Sequence, residues 1–115
     1  MAADHSATAK DVVSGAVKLS QAAPGIMKAF NQLGEAAYKP GALDAKTKEL
    51  VALGISIAVG CEGCVAYHTA GAVEKGAQRE EVVEAIGTAV YMGGGPAVVY
   101  GAKALEAFDQ MTGAK

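Results

Sequence analysis

The spacing of apolar and polar residues along this chain is typical of helices. Apolar residues recur at intervals of three and four, and no segment alternates strictly between apolar and polar residues as a half-buried strand would. The sequence therefore predicts an all-α fold, a compact single-domain helical bundle of about six helices. Because 115 residues allow one hydrophobic core, we expect residues 1–115 to form a single domain.

Capping and helix-breaking residues mark where the predicted helices begin and end. Pro24 suits the first turn of a second helix, and Pro40 with Gly41 ends it. Asp44 can cap a third helix by accepting from its free amides, and Gly60 can end that helix. The six predicted segments are residues 8–21, residues 24 to the break at 40, and residues 45–59, 62–75, 78–92 and 96 to about 108.

The apolar stripes of these segments predict which sides face the core. The second segment carries a long stripe made of Ile26, Met27, Phe30, Leu33, Ala37 and Tyr38. The third is predicted to point Leu50, Leu53, Ile57 and Val59 inward. Apolar residues make up 51% of the sequence, and a small helical protein has much surface for its core. We therefore expect other copies of the chain to cover part of the apolar surface, which predicts a homo-oligomer.

Charge and hydropathy argue against two classes of partner. The formal net charge is −2, with basic and acidic residues interspersed, so we expect no nucleic acid partner. The longest apolar run, residues 50–60, is too short to cross a bilayer, so we expect no membrane partner. The first residues show no secretory leader, which predicts a cytoplasmic protein. In that reducing compartment a cysteine pair is more often catalytic or metal-binding than structural.

The strongest chemical signal is a cluster at residues 61–68. Cys61 and Cys64 are the two cysteines of the chain, and His68 follows one helical turn later. If this segment is helical, the three side chains share a face. A helix start favours an anionic sulfur, and a protonated imidazole nearby adds to that effect. Gly63 leaves room beside both sulfurs, so we expect a redox site that a peroxide or a partner disulfide can approach.

Two other interpretations of the cluster stay open on this reasoning. The cysteines could be inert core residues, since free cysteine is among the most buried residue types. Cys-x2-Cys-x3-His also offers three zinc ligands, although three ligands on one helix suit a tetrahedron poorly. The other imidazole, His5, is expected in a loose terminus. Glu49 is the last charge before the apolar run, and it is either a partly buried general base or an exposed glutamate.

Taken together, Glu49, Cys61, Cys64 and His68 resemble the alkylhydroperoxidase D-like branch of the carboxymuconolactone decarboxylase superfamily. The likeness spans about residues 40–108, with the glutamate twelve residues before Cys-x-x-Cys and a histidine four after it. The family is all-α and usually forms trimers or hexamers. Its peroxidases reduce organic hydroperoxides with paired thiols and need no cofactor. Some members take electrons from a dihydrolipoyl protein or another thiol reductant.

The resemblance implies a role for each of the four residues. Cys64 would attack the peroxide and become a sulfenic acid, and Cys61 would resolve it to a disulfide. Glu49 and His68 would form a proton relay that activates the thiols. Gly63 departs from the peroxidase pattern, which has a second histidine there. The alternatives are a lactone decarboxylase of the carboxymuconolactone type, and a non-catalytic oligomeric or metal-binding module.

Overall fold

The computed structural model describes residues 3–113, which form six α-helices and no strand. This confirms the predicted all-α fold. None of the helices described is long and apolar enough to cross a membrane. The helices are α1 (His5–Ala22), α2 (Pro24–Tyr38), α3 (Ala45–Val59), α4 (Glu62–Glu74), α5 (Arg79–Gly93) and α6 (Gly95–Thr112).

The predicted caps of α3 are both present. Asp44 accepts a hydrogen bond of 2.8 Å from the amide of Thr47, which satisfies one of the free donors of the first turn. At the other end, Gly60 adopts a left-handed conformation with φ of 79° and donates its N–H to the Ser56 carbonyl. A residue with a Cβ rarely adopts that conformation, so Gly60 turns the chain directly into α4.

Helices α3 to α6 form the core of the protein. The residues that are buried there are mostly small or aliphatic, and the largest are Leu53, Ile57, Val65, Val82 and Phe108. Small residues let the helices approach closely: a Cβ built on Gly101 of α6 would lie 2.7 Å from Cγ2 of Ile86 in α5. The scarcity of aromatic residues is therefore matched by short distances between helices.

The prediction of one core residue of α3, Val59, is wrong. Leu53 and Ile57 are fully buried and Leu50 is partly buried, but Val59 is 74% exposed. At 100° per residue, Val59 lies about 120–160° away from the face that Leu53 and Ile57 share. It belongs to a second apolar face of α3, with Val51 and Ile55, which are also exposed.

Helices α1 and α2 lie outside this core. Helix α1 packs against α4 and α6, whereas α2 packs mainly against α1. No residue of α2 is buried, and the large apolar side chains of its stripe, Ile26, Phe30 and Leu33, are 62–73% exposed. We refer to these three side chains as the α2 apolar face. Nothing in the described part of the chain covers it.

The sequence suggested that His5 lies in a loose terminus, but this prediction is wrong. His5 is the first residue of α1 and only 2% exposed, and its Nε2 lies 2.6 Å from Oε1 of Glu106 in α6. The amide of His5 donates to Oε1 of Gln110, and Nε2 of Gln110 donates to the carbonyl of Ala3. These contacts, which we call the N-terminal clasp, hold the start of α1 against α6. Local sequence could not reveal them because the partners are 101 to 107 residues apart.

Candidate redox site

The two cysteines lie at the start of α4, where Gly60 turns the chain out of α3. Cys61 is the N-cap of α4, Cys64 lies in its first turn, and their sulfurs form a disulfide with a Cα–Cα distance of 5.2 Å. The Cys61 sulfur accepts a hydrogen bond from the amide of Cys64 at 3.2 Å. Both residues are partly exposed. The pair can therefore be reached from solvent, and the amide would stabilise negative charge on the Cys61 sulfur once the disulfide is open.

Glu49 and His68 form a hydrogen-bond contact between α3 and α4. His68 Nδ1 lies 2.9 Å from Oε1 of Glu49, and both side chains are largely buried. An ionised carboxylate only accepts hydrogen bonds, so Nδ1 is the nitrogen that carries the proton toward Glu49. The other nitrogen, Nε2, is then left to exchange a proton with a reacting group. His68 lies one helical turn beyond Cys64 on α4, so the two residues are neighbours along the same side of the helix.

Tyr38, the last residue of α2, is a third member of this contact that the sequence did not reveal as a site residue. Its hydroxyl lies 3.2 Å from Oε1 of Glu49 and 3.2 Å from Nδ1 of His68. Burial first, and then the charge of Glu49 and the hydrogen bond to it, raise the pKa of Tyr38 to about 12. The phenol therefore stays protonated near neutral pH and donates a hydrogen bond to Glu49, while its oxygen faces Nδ1 of His68.

The position of Tyr38 depends on the end of α2. Nζ of Lys48 in α3 donates to the carbonyl of Ala37 at 2.9 Å and to that of Lys39 at 2.7 Å. These two carbonyls flank Tyr38 and belong to the unpaired carbonyls of a helix C-terminus, which a lysine satisfies well. The residue before Glu49 thus holds the chain on both sides of the tyrosine that contacts Glu49.

The space beside Gly63 is not open, in contrast to the prediction. A Cβ built on Gly63 would lie 3.0 Å from Cγ2 of Val12, because α1 packs over the start of α4. The missing side chain is therefore filled by α1. A histidine at this position would require Val12 to move, so the absence of the second histidine goes together with the packing of α1.

A cavity of about 690 Å³ lies between α1 and α4 next to the carboxylate of Glu49. Its walls combine small apolar residues with polar groups, and the lining includes Ala9, Lys10, Val13, Ser14, Tyr67 and Gly71. The ring of Tyr67 meets that of His68 edge to face, with centroids 5.2 Å apart. The carboxylate thus faces His68 on one side and a solvent-accessible space on the other.

Within residues 3–113, no three His, Cys, Asp or Glu side chains are grouped so that they could hold a metal ion. In the disulfide form neither sulfur is a thiolate ligand.

The fold and this site define a class: all-α proteins with a Cys-x-x-Cys pair at a helix start and a Glu–His contact beside it. The sequence model that describes the carboxymuconolactone decarboxylase family matches residues 24–107 of this chain. The chain therefore belongs to the carboxymuconolactone decarboxylase family, as its resemblance to the alkylhydroperoxidase D-like branch suggested.

Similar proteins and structures agree with this assignment. A family member from Legionella pneumophila, solved in its apo form, is 44% identical, with a TM-score of 0.90 over 94% of this chain and 96% of that one. A Thermotoga maritima family member, for which a role in the antioxidative response has been suggested, is 36% identical with a TM-score of 0.71, over 75% and 89% of the two chains. An uncharacterized protein of Cupriavidus necator is 41% identical over 81% of this chain and 82% of its own.

Proposed function

We propose that this protein is a thiol-dependent peroxidase that reduces organic hydroperoxides through Cys61 and Cys64. The observation that carries the proposal is the contact between Glu49 and His68, 2.9 Å long, one helical turn from the cysteine pair. A carboxylate that orients an imidazole beside a thiol is the arrangement that activates cysteine nucleophiles. The suggested antioxidative role of the Thermotoga maritima relative is in line with this reaction.

The cycle starts from the dithiol form. His68 Nε2 takes the proton of Cys64, and the thiolate attacks the outer oxygen of the hydroperoxide. The O–O bond breaks, the sulfur becomes a sulfenic acid, and the alkoxide takes a proton and leaves as an alcohol. Cys61 then attacks the sulfenic sulfur, which forms the disulfide and releases water. The disulfide of the structure corresponds to this oxidised state.

A dithiol reductant has to reopen the disulfide for a second turnover. The exchange transfers two electrons and two protons from the reductant, which becomes a disulfide itself. The amide of Cys64 stabilises charge on the Cys61 sulfur, so an attack on Cys64 that expels Cys61 is favoured. A dihydrolipoyl protein or another thiol reductant fits this step. We assign the reaction to the cytoplasm, whose thiol pools can sustain it.

We also propose that the protein works as a homo-oligomer, a trimer or a hexamer by analogy with its family. The chain exposes 7103 Å², whereas a compact monomer of its mass, 11.5 kDa, is expected to expose about 5,800 Å². The excess of about 1,300 Å² exceeds the roughly 800 Å² that one partner buries in a standard interface. The α2 apolar face accounts for part of this surface. We therefore take this face to be covered by a second copy.

The experiment that tests the reaction measures peroxide consumption and free thiols in the reduced protein. We expect Cys64→Ser to abolish consumption, because it removes the nucleophile. Cys61→Ser should keep one turnover and accumulate a Cys64 sulfenic acid, which a dimedone-type probe traps. Equal loss in both variants without trapping would contradict the roles, and lactone decarboxylation that survives replacement of both cysteines would support the other branch of the family.

A further inference from the structure

The carboxylate of Glu49 lies directly against the backbone of α4 at Gly71. A Cβ built on Gly71 would lie 2.2 Å from Oε2, 2.6 Å from Cδ and 3.0 Å from Oε1 of Glu49. These distances are far inside van der Waals contact, and they involve all three atoms at the end of the side chain. The present position of the carboxylate is therefore available only because residue 71 has no side chain.

Local helix structure gives no reason for a glycine at this place. Gly71 lies inside α4, where alanine is the better helix former and glycine lowers helix stability. It has no positive φ, unlike Gly60 and Gly76. Gly87 in α5 is also inside a helix, but a Cβ there would meet nothing within 4 Å. Gly71 thus differs from Gly87 in that a carboxylate occupies the place of its side chain.

We propose that Gly71 is a positioning residue for Glu49: its missing side chain lets the carboxylate reach Nδ1 of His68. With a Cβ at position 71, the backbone of α4 stays in place because its helix packs against α1, α3 and α6. The flexible end of Glu49 has to move instead, and the cavity between α1 and α4 gives it room. The carboxylate then leaves both His68 and Tyr38.

The first consequence is a change in the tautomer of His68. In the structure the bond to Glu49 keeps the proton of the neutral imidazole on Nδ1. Without that bond the Nε2–H form, which predominates for histidine in water, is expected to take over. The nitrogen that should accept the proton of Cys64 is then already protonated. The catalytic part of this inference rests on the proposed peroxidase function, whereas the tautomer does not.

The test compares Gly71→Ala with Gly87→Ala, which makes the same substitution in another helix. Long-range 1H–15N spectra of the oxidised protein, at a pH where imidazole is neutral, report which nitrogen of His68 is protonated. We expect Nδ1–H in wild type and Gly87→Ala, and mainly Nε2–H in Gly71→Ala, as in a Glu49→Ala reference. His5 serves as the internal control, because its contacts lie in the N-terminal clasp.

Peroxide consumption gives the second readout. We expect Gly71→Ala to slow it about 100-fold or more, the range that general acid–base groups contribute. If Gly71 acts only through Glu49, the double variant Gly71→Ala/Glu49→Ala is no slower than Glu49→Ala alone.

Three results would overturn the inference: an Nδ1–H tautomer in Gly71→Ala, additive losses in the double variant, or a Gly71→Ala protein that loses its helical circular dichroism. If wild type consumes no peroxide, the proposed function fails and the tautomer alone decides the role of Gly71.

Discussion

Helices α2 and α3 have the same length, 15 residues each, and both are rich in apolar side chains, yet they are packed very differently. Helix α3 packs against α4, α5 and α6, and its residues Leu53 and Ile57 are fully buried. Helix α2 packs mainly against α1 and buries none of its residues. An apolar stripe therefore shows which side of a helix is suited to burial. It does not show whether another helix of the same chain buries that side.

The difference in packing between α2 and α3 also affects the site, whose residues come partly from the core helices and partly from α2. Glu49 and His68 come from the core helices α3 and α4, whereas Tyr38 is the last residue of α2. Tyr38 is held by its contacts with that pair and by Lys48, which binds the carbonyls on either side of it. The core thus supplies the contact between Glu49 and His68, and the peripheral helix supplies one hydroxyl.

The largest expected effect is on the core side. Leu53→Ala should lower the free energy of unfolding by about 2–5 kcal/mol, because it leaves a cavity that the surrounding helices fill only in part. Val59→Ala on the same helix is the control and should change it by less than about 0.5 kcal/mol, since Val59 is exposed. Urea unfolding at a protein concentration low enough for dissociation measures both. Similar losses for the two variants would mean that α3 is not buried on one side as described.

The second prediction concerns the α2 apolar face. Phe30→Glu should weaken self-association by at least about 30-fold, because burial of a phenylalanine contributes about 2 kcal/mol and a buried unpaired carboxylate costs more. Gln32→Glu adds the same charge to the opposite side of α2 and should leave the association unchanged. Sedimentation velocity over a range of concentrations distinguishes the two. An unchanged oligomer in Phe30→Glu would show that α2 is not the interface.

The smallest effect is expected for the hydroxyl that joins the two regions. Tyr38→Phe should lower stability at neutral pH by about 1 kcal/mol, the net contribution of one hydrogen bond. The pKa of Tyr38 is raised from 10.0 to about 12, so the folded protein holds this proton more tightly than the unfolded chain. The stabilisation is therefore complete below about pH 10 and is lost as the pH rises toward 12.

Unfolding curves from pH 8 to 12 test this dependence. The difference between wild type and Tyr38→Phe should shrink over the alkaline range, whereas Tyr91→Phe, at an exposed tyrosine, should follow wild type throughout. A constant difference between wild type and Tyr38→Phe would mean that the phenol does not titrate in contact with Glu49.

Most of the fold could be predicted because its signals are local. The spacing of apolar residues, the Asp44 cap and the left-handed Gly60 each depend on a few neighbouring residues, and the helix bounds agree with the prediction within a few positions. The errors concern contacts between distant residues. His5 is buried by residues about a hundred positions away. Val59 was predicted to face the core because it is apolar, but it lies on the second apolar face of α3, which is exposed.

The site was predicted in the same uneven way. The cysteines and His68 were visible from their spacing, and Glu49 came from the family resemblance. Tyr38 and Gly71 were missed because they reach Glu49 from other helices, and an apolar stripe or a helix interior gives no sign of that. A glycine inside a helix is still informative. It lowers helix stability, so its presence indicates a role in packing or in function. Gly71 could have been questioned on that ground.

The N-terminal clasp has a consequence for how the chain is made. Its contacts join Ala3 and His5 to Glu106 and Gln110, so the two sides are synthesised about a hundred residues apart. A nascent chain that has not yet exposed α6 cannot form them, and contacts of such separation are slow to close. Helix α1, which covers Gly63 and the start of α4, therefore gains its last anchor only after the cysteines have left the ribosome.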